Sequence, residues 1–148
     1  MIANGDIVSP EKARDVLAYT RADALMIGRA AQGRPWIFRE IAHFLATGEP
    51  LAAPTTSQVA AWLSDHLQDH YGLYGEHGGV RSARKHIGWA LRELPGGLAF
   101  RDAMNLIDDA PAQLAAVRDW FAKLAERHER LPRIAAPAAN DDLIELSA

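Results

Sequence analysis

The first fifty residues alternate between short apolar runs and polar turns that lead into helices. Residues 24–27 are apolar without alternation, as is typical of a strand buried on both faces of a parallel sheet. Residues 1–3 form a similar run, and the helix after them has Ser9 as a cap and Pro10 in its first turn. The pattern predicts one right-handed βαβ crossover. Another helix, over residues 35–47, ends at Gly48.

Each predicted strand ends in a polar turn that contains glycine. Asn4, Gly5 and Asp6 follow the first strand, and Gly28 and Arg29 follow the second. Because parallel strands of an α/β barrel place their carboxyl ends at one edge, we expect the two turns to lie side by side. Glycine lets the backbone approach a ligand, and the amides that open the next helix form an anion site. The alternative is that Gly28 only makes a tight strand-to-helix turn.

A proline-containing linker, residues 48–56, separates this α/β part, residues 1–47, from a wholly helical region, residues 57–130. Apolar stripes predict helices that begin at residue 56 or 57 and that cover residues 80–94, about 99–107 and 111–128. Short connections make successive helices antiparallel neighbours, so we predict a four-helix bundle. Residues 131–148 are rich in Ala and Pro, and we expect them to form a flexible tail.

The second of these helices carries a basic face. At about 100° per residue, its four cations fall within an arc of about 100°, and Trp89 lies at the border of that arc. A basic face edged by an indole suits a phosphate backbone and a stacked base. The alternative is an ordinary solvated face. The candidate RNA-binding residues are Arg81, Arg84, Lys85, Trp89 and Arg92.

Two histidines of the first bundle helix, His66 and His70, stand four residues apart, which is a spacing used by metal ligands. They belong, however, to an apolar stripe that predicts packing, and no third ligand is indicated by the sequence. We therefore interpret them as packing residues and predict no metal site. His86, on the next helix, is expected to pack or to form a hydrogen bond within the bundle.

Composition narrows the possible classes of protein further. The chain has 148 residues, 49% of them hydrophobic and 24% charged, and it carries a net charge of −3. Such a chain is not globally basic, so any RNA contact has to come from a local patch. The absence of cysteine excludes disulfides and zinc-thiolate sites. No apolar run is long enough to span a membrane, so we expect no membrane contact and a cytoplasmic location.

Two motifs resemble those of bacterial tRNA-dihydrouridine synthases of the B type. The first is the turn at residues 4–6 together with residues 26–38, MIGRAAQGRPWIF. The second is residues 80–89, VRSARKHIGW, which is similar to the family's signature in its tRNA-facing helical domain. The resemblance covers about residues 1–130. It implies the last two βα units of a TIM-type flavin barrel, followed by a helical tRNA-binding domain.

The resemblance implies a flavoenzyme that uses NADPH to reduce uridine in tRNA. It assigns the phosphate end of FMN to Asn4, Gly5, Asp6, Gly28 and Arg29. The family's proton-donating cysteine lies upstream of the matched segment, so no catalytic residue can be assigned in this chain. A complete barrel takes about 250 residues.

We therefore expect a C-terminal portion, from a truncated gene, an internal start or an excision, with another polypeptide as a candidate source of the missing barrel. Two alternatives are a helical RNA- or protein-binding module without chemistry, and a remnant of a different FMN-dependent barrel. Flavin binding distinguishes the first alternative from the synthase, and RNA binding distinguishes the second.

Overall fold

The computed structural model of the chain describes residues 1–132, so most of the predicted tail, residues 133–148, lies outside the described residues. Within residues 1–132, no helix is both long and apolar enough to cross a membrane. The elements, in chain order, are β1 (Ile2–Asn4), α1 (Pro10–Thr20), β2 (Ala24–Met26), a short 3-10 helix (Arg29–Ala31), α2 (Ile37–Thr47), α3 (Thr56–Tyr74), α4 (Glu76–Leu91), α5 (Gly97–Met104) and α6 (Ala110–Ala125).

The two strands form a parallel pair connected by α1, as the pattern predicts. Ile2 pairs with Ala24 and Asn4 with Met26. Ser9 caps α1 by accepting a hydrogen bond from the amide of Lys12. The prediction that the second strand is buried on both faces is wrong, since Met26 is 56% exposed. Among the described residues, α1 packs against one face of the pair and no element covers the other.

A small apolar core holds the βαβ unit and α2 together. Leu25 of β2 packs against it, as do Val16 of α1 and Ile27. Because side chains alternate across a strand, Leu25 faces this core while its neighbours in β2 face away. The buried residues of this core are Ile7, Ala13, Ile37 and Ile41.

The segment after β2 differs from the prediction. Gly28 is followed by the three-residue 3-10 helix, and α2 begins only at Ile37. Gly33, with a φ of +76°, lies in the intervening segment. The helix that opens directly behind Gly28 is therefore a single 3-10 turn and not an α-helix. Gly48 ends α2 in the left-handed conformation, as predicted.

The four helices α3 to α6 share a larger apolar core. Thr55 and Gln58 form a capping box at the start of α3, and the Asp109 carboxylate caps α6 through the amide of Ala112. The predicted helix ends are displaced, most clearly in α4, which starts at Glu76 and ends at Leu91. The buried residues of this core are Val59, Leu63, Leu67, Ala83, Ile87, Leu91, Leu94, Met104, Val117, Phe121 and Leu124.

The second half of the predicted linker is attached to the end of the helical region. The amide of Thr56 donates to the carbonyl oxygen of Glu129 at 2.8 Å, and the amide of Leu131 donates to Pro54 at 3.2 Å. The Thr56 hydroxyl donates to the carbonyl oxygen of His128 at 2.5 Å. Leu131, the first residue of the predicted tail, also packs against the larger core. These bonds close the helical region by joining its two ends.

The segment between β2 and α2 also packs directly on α4. A Cβ atom at Gly33 would lie 2.3 Å from the carbonyl oxygen of Trp89 and 2.8 Å from the amide nitrogen of Ala90. Trp36 packs against the larger core, with its ring centroid 6.0 Å from that of Trp62. This contact connects the polar turn after β2 to the helix that carries the predicted RNA-binding residues.

Candidate functional site

The polar turns after β1 and β2 lie next to each other, as expected for parallel strands. Arg29 donates through Nη2 to Oδ1 of Asp6 at 2.5 Å, and both side chains are exposed. Gly5 has a φ of +115° and Asp6 a φ of +38°, so the first turn uses backbone conformations that few residues adopt. The strand edge therefore presents a cation, two glycines and the polar Asn4 on one side of the molecule.

These residues fit the phosphate end of a nucleotide cofactor. A Cβ atom at Gly5 or at Gly28 would meet nothing within 4 Å, so the space beside both glycines is open to a ligand. Asp6 takes one Nη2 bond of a guanidinium that carries five N–H donors, so donors are left for phosphate oxygens. The residues fit only the phosphate end of such a cofactor. The ring system of the cofactor needs enclosing walls, which most ligand pockets supply.

Three of the four predicted cations lie on one exposed face, two of them within α4 and the third, Arg92, directly after its last residue in the same helical backbone conformation. Arg81, Lys85 and Arg92 are all exposed, and the Lys85 ammonium lies 4.9 Å from the centroid of the Trp89 ring. Arg92 has a distant ion pair with Glu93, at 3.8 Å. An ammonium beside an indole face combines charge with a stacking surface. The geometry suits a polyanion that also offers aromatic rings.

Arg84 is not brought together with the other three cations. Its guanidinium donates to the carbonyl oxygen of Ile107 at 3.2 Å and to the carboxylate of Asp108, and its side chain is only 26% exposed. Arg84 lies on the side of α4 that faces the connection between α5 and α6, where Asp108 supplies an anion. Its charge is therefore used within the protein, and it anchors that connection to α4.

A cleft of about 350 Å³ lies between the segment after β2 and the helices α3 and α4. Gly28 lies at one part of this cleft and Trp89 at another. Trp36 and Trp62 also line the cleft, so three indoles contribute to its walls. A neighbouring cleft of about 900 Å³ is lined by Asp6 and Arg29 of the strand edge and by Trp89 and Arg92 of the basic face, so the two predicted sites are parts of one surface.

Sequence reasoning missed a cluster of three histidines at this cleft. His86 of α4 joins His66 and His70 of α3, and one ring nitrogen from each lies within 4.8 Å of the others. Burial lowers the pKa of His70, with a further contribution from His66. Burial, followed by His66, His70 and Lys85, lowers the pKa of His86. The only feature of the sequence that could have placed His86 beside His66 and His70 was the predicted antiparallel packing of successive helices.

The structure joins a parallel βαβ unit, whose strand edge leaves open space beside two glycines, to helices with a basic face that is bordered by an indole. The chain belongs to the dihydrouridine synthase family, because the family model described as Dihydrouridine synthase (Dus) matches residues 1–126. This membership agrees with the resemblance of the two motifs. It leaves no support for a remnant of a different flavin barrel.

Curated relatives are similar to most of the chain. The tRNA-dihydrouridine synthase B of Pseudomonas aeruginosa is 56% identical over 123 residues, which are 83% of this chain and 37% of that protein. The proteins of the same name from Pseudomonas putida and Serratia marcescens are 55% and 52% identical, over 83% and 87% of this chain and 36% and 39% of theirs. The chain thus spans less than two fifths of the length of these relatives.

Proposed function

We propose that this chain is the C-terminal portion of a B-type tRNA-dihydrouridine synthase, which reduces uridine in tRNA to 5,6-dihydrouridine with FMN and NADPH. The observation that carries the proposal is the surface on which the strand-edge turns and the basic face of α4 meet across one cleft. Family membership over residues 1–126 and the partial coverage of the relatives support it. The division into residues 1–47, 48–56 and 57–130 is part of this proposal.

In this proposal the strand edge holds the phosphate end of FMN. Arg29 supplies charge and N–H donors, Asp6 orients that guanidinium, and Gly5 and Gly28 leave room for the phosphate. Asn4 completes the set from the end of β1. FMN, when bound, supplies the hydride for the uracil ring. The family's cysteine and the walls around the flavin ring belong to the remainder of the enzyme, in the same or in another polypeptide.

The helical region positions tRNA in this proposal. Arg81, Lys85 and Arg92 contact phosphates, which fixes the orientation of the RNA without reading its sequence. Trp89 offers its ring to an unstacked base beside the cleft. Arg84 becomes available to RNA only if Asp108 releases it, so we assign the main phosphate contacts to the other three cations.

The chain alone is expected to bind FMN weakly and not to reduce uridine. Two turns without walls for the isoalloxazine leave most of the cofactor in water, whereas ligand sites typically bury most of a ligand's surface. The measurements are the flavin absorbance of the purified protein, an FMN titration, and NADPH oxidation with tRNA. Stoichiometric flavin, or turnover by the chain alone, contradicts the proposal.

A chimera tests the positive part of the proposal. This chain is joined to the upstream residues of the Pseudomonas aeruginosa relative, and the product is expected to bind FMN and to form dihydrouridine in tRNA. In the chimera, Arg29→Ala should weaken FMN binding by about 10- to 100-fold, which is typical of a lost hydrogen bond to a charged group. Arg39→Ala, an exposed arginine of α2, is the matched control and should leave FMN binding unchanged.

A folded chimera that binds tRNA but neither FMN nor NADPH favours the alternative of a binding module without chemistry. If Arg29→Ala and Arg39→Ala change FMN binding equally, Arg29 does not contact the FMN phosphate, even if the chimera is active.

A further inference from the structure

We propose that His66, His70 and His86 form a binding site for one divalent transition-metal ion of the zinc class. This site uses none of the residues assigned to the flavin and tRNA contacts, although it shares a cleft with Gly28 and Trp89. His66 and His70 lie one helical turn apart on α3, and His86 reaches them from the neighbouring α4. Three imidazoles from two packed helices make the ligand set that zinc uses with three protein ligands and one open position.

The spacing of the nitrogens agrees with tetrahedral coordination. His66 Nε2 and His86 Nδ1 are 3.3 Å apart. Two ligands at about 2.0–2.1 Å from a tetrahedral zinc ion are separated by roughly 3.3–3.4 Å. One ring nitrogen of each of the three histidines lies within 4.8 Å of the others. The His66 and His86 nitrogens thus already have the separation that a shared ion requires.

Ser82 supports the third ligand. Its hydroxyl donates to the carbonyl oxygen of Gly78 at 2.8 Å, and it therefore accepts from His70 Nε2 at 2.7 Å. This bond places the proton on Nε2 and leaves the Nδ1 lone pair of His70 for a metal. Metal-binding histidines usually donate their other ring nitrogen in this way, which fixes both the tautomer and the orientation of the ring.

The cluster is open to solvent on one side. His66 is exposed, and both His66 and His86 line the cleft beside Trp89, whereas His70 is buried. An ion can therefore enter from the cleft, and its fourth ligand would be water or a small molecule located there. Among the described residues, the cluster consists of histidines and contains no carboxylate. Nitrogen-preferring ions such as Zn²⁺, Ni²⁺ and Cu²⁺ are therefore expected to bind in preference to Mg²⁺ or Ca²⁺.

Isothermal titration of the untagged, metal-free chain with ZnCl₂ tests the site. We expect one ion per chain, and His66→Gln or His86→Gln should each weaken binding by at least about tenfold. Ser82→Ala should also weaken it, by about 10- to 100-fold, as loss of an outer hydrogen bond does. His43→Gln, on α2 and outside the cluster, is the matched control and should bind Zn²⁺ as the original chain does.

The spectrum of the Co²⁺-loaded chain provides a second measurement. Intense visible bands of four-coordinate Co²⁺ are expected, and they should vanish in His66→Gln. Because His66 is exposed, His66→Gln is expected to keep its fold. It therefore tests the metal site even if His86→Gln is unstable. Equal Zn²⁺ affinity in His66→Gln and His43→Gln, or weak six-coordinate Co²⁺ bands, would overturn the proposal and leave the three rings as a packing cluster.

Discussion

Replacing Arg81, Lys85 and Arg92 together with alanine is expected to flatten the salt dependence of tRNA binding. Each phosphate contact releases condensed counterions, which contributes about 0.7–0.9 to the slope of log affinity against log salt. Three lost contacts lower the slope by roughly 2 to 3 units. Over a fourfold range of salt, that difference amounts to roughly 16- to 64-fold in relative affinity. Fluorescence anisotropy with labelled tRNA at several salt concentrations measures it.

The control for this variant removes the same total charge elsewhere. Lys12, Arg39 and Lys123 are exposed cations on α1, α2 and α6, so their triple alanine variant has the same net charge as the α4 variant. Its slope should stay close to that of the original chain. If both triple variants lower the slope equally, the effect comes from the net charge of the protein, and the basic face of α4 is an ordinary solvated surface.

Trp89→Ala provides a contrast within the same surface. A stacked base is worth about 1–3 kcal/mol, but stacking releases no counterions. Affinity for tRNA should therefore fall while the salt slope stays nearly constant. Because the Trp89 ring also contacts His86 and Lys85, circular dichroism must show unchanged helix content before the two variants are compared.

Gly33→Ala is expected to destabilise the chain by about 2 to 5 kcal/mol. A left-handed backbone costs a residue with a Cβ atom roughly 1–2 kcal/mol. Overpacking adds about 1–3 kcal/mol, because the new methyl group would lie 2.3 Å from the Trp89 carbonyl oxygen, which is held in helix α4. Urea unfolding followed by tryptophan fluorescence measures the loss, and a shift of the native emission would report that Trp36 has moved away from Trp62.

Gly48→Ala separates the two causes. Gly48 has a φ of +77°, nearly the same as that of Gly33, but a Cβ atom there would meet nothing within 4 Å. This variant therefore carries only the backbone cost, about 1–2 kcal/mol. Equal losses in the two variants would mean that the segment after β2 moves freely away from α4, and that the strand edge and the basic face are not rigidly connected.

The connection at Gly33 matters for the proposed enzyme because it fixes one candidate site relative to the other. The turn at Gly28 lies five residues before Gly33, and the helix on which Gly33 packs carries Lys85 and Trp89. A flavin phosphate at the first location and an RNA phosphate at the second would therefore be held at a constant separation. In the proposed enzyme, such rigidity would bring a chosen uridine to the flavin without reading the RNA sequence.

Local patterns in the sequence determined the elements and their order. Ser9 and Asp109 cap the starts of α1 and α6, and Gly48 ends α2, as the sequence predicts. Capping can be predicted because it is decided by a few neighbouring residues. The parallel pairing of β1 with β2, and with it the adjacency of Asp6 and Arg29, also follows from the βαβ pattern. The motifs around Gly28 and Lys85 were sufficient to identify the family.

Only the tertiary structure decided which side chains are exposed and which have partners within the protein. Arg84 belongs to the basic arc of α4 by helical period, yet its guanidinium is bound by Ile107 and Asp108, which lie 23 and 24 residues away. Met26 is apolar but exposed, since no described element covers that face of the sheet. His86 meets His66 and His70 because α3 and α4 pack together in one register. Periodicity states where a residue lies on its own helix, whereas its partners depend on how that helix is rotated against its neighbours, and that rotation is set by the packing of the whole core.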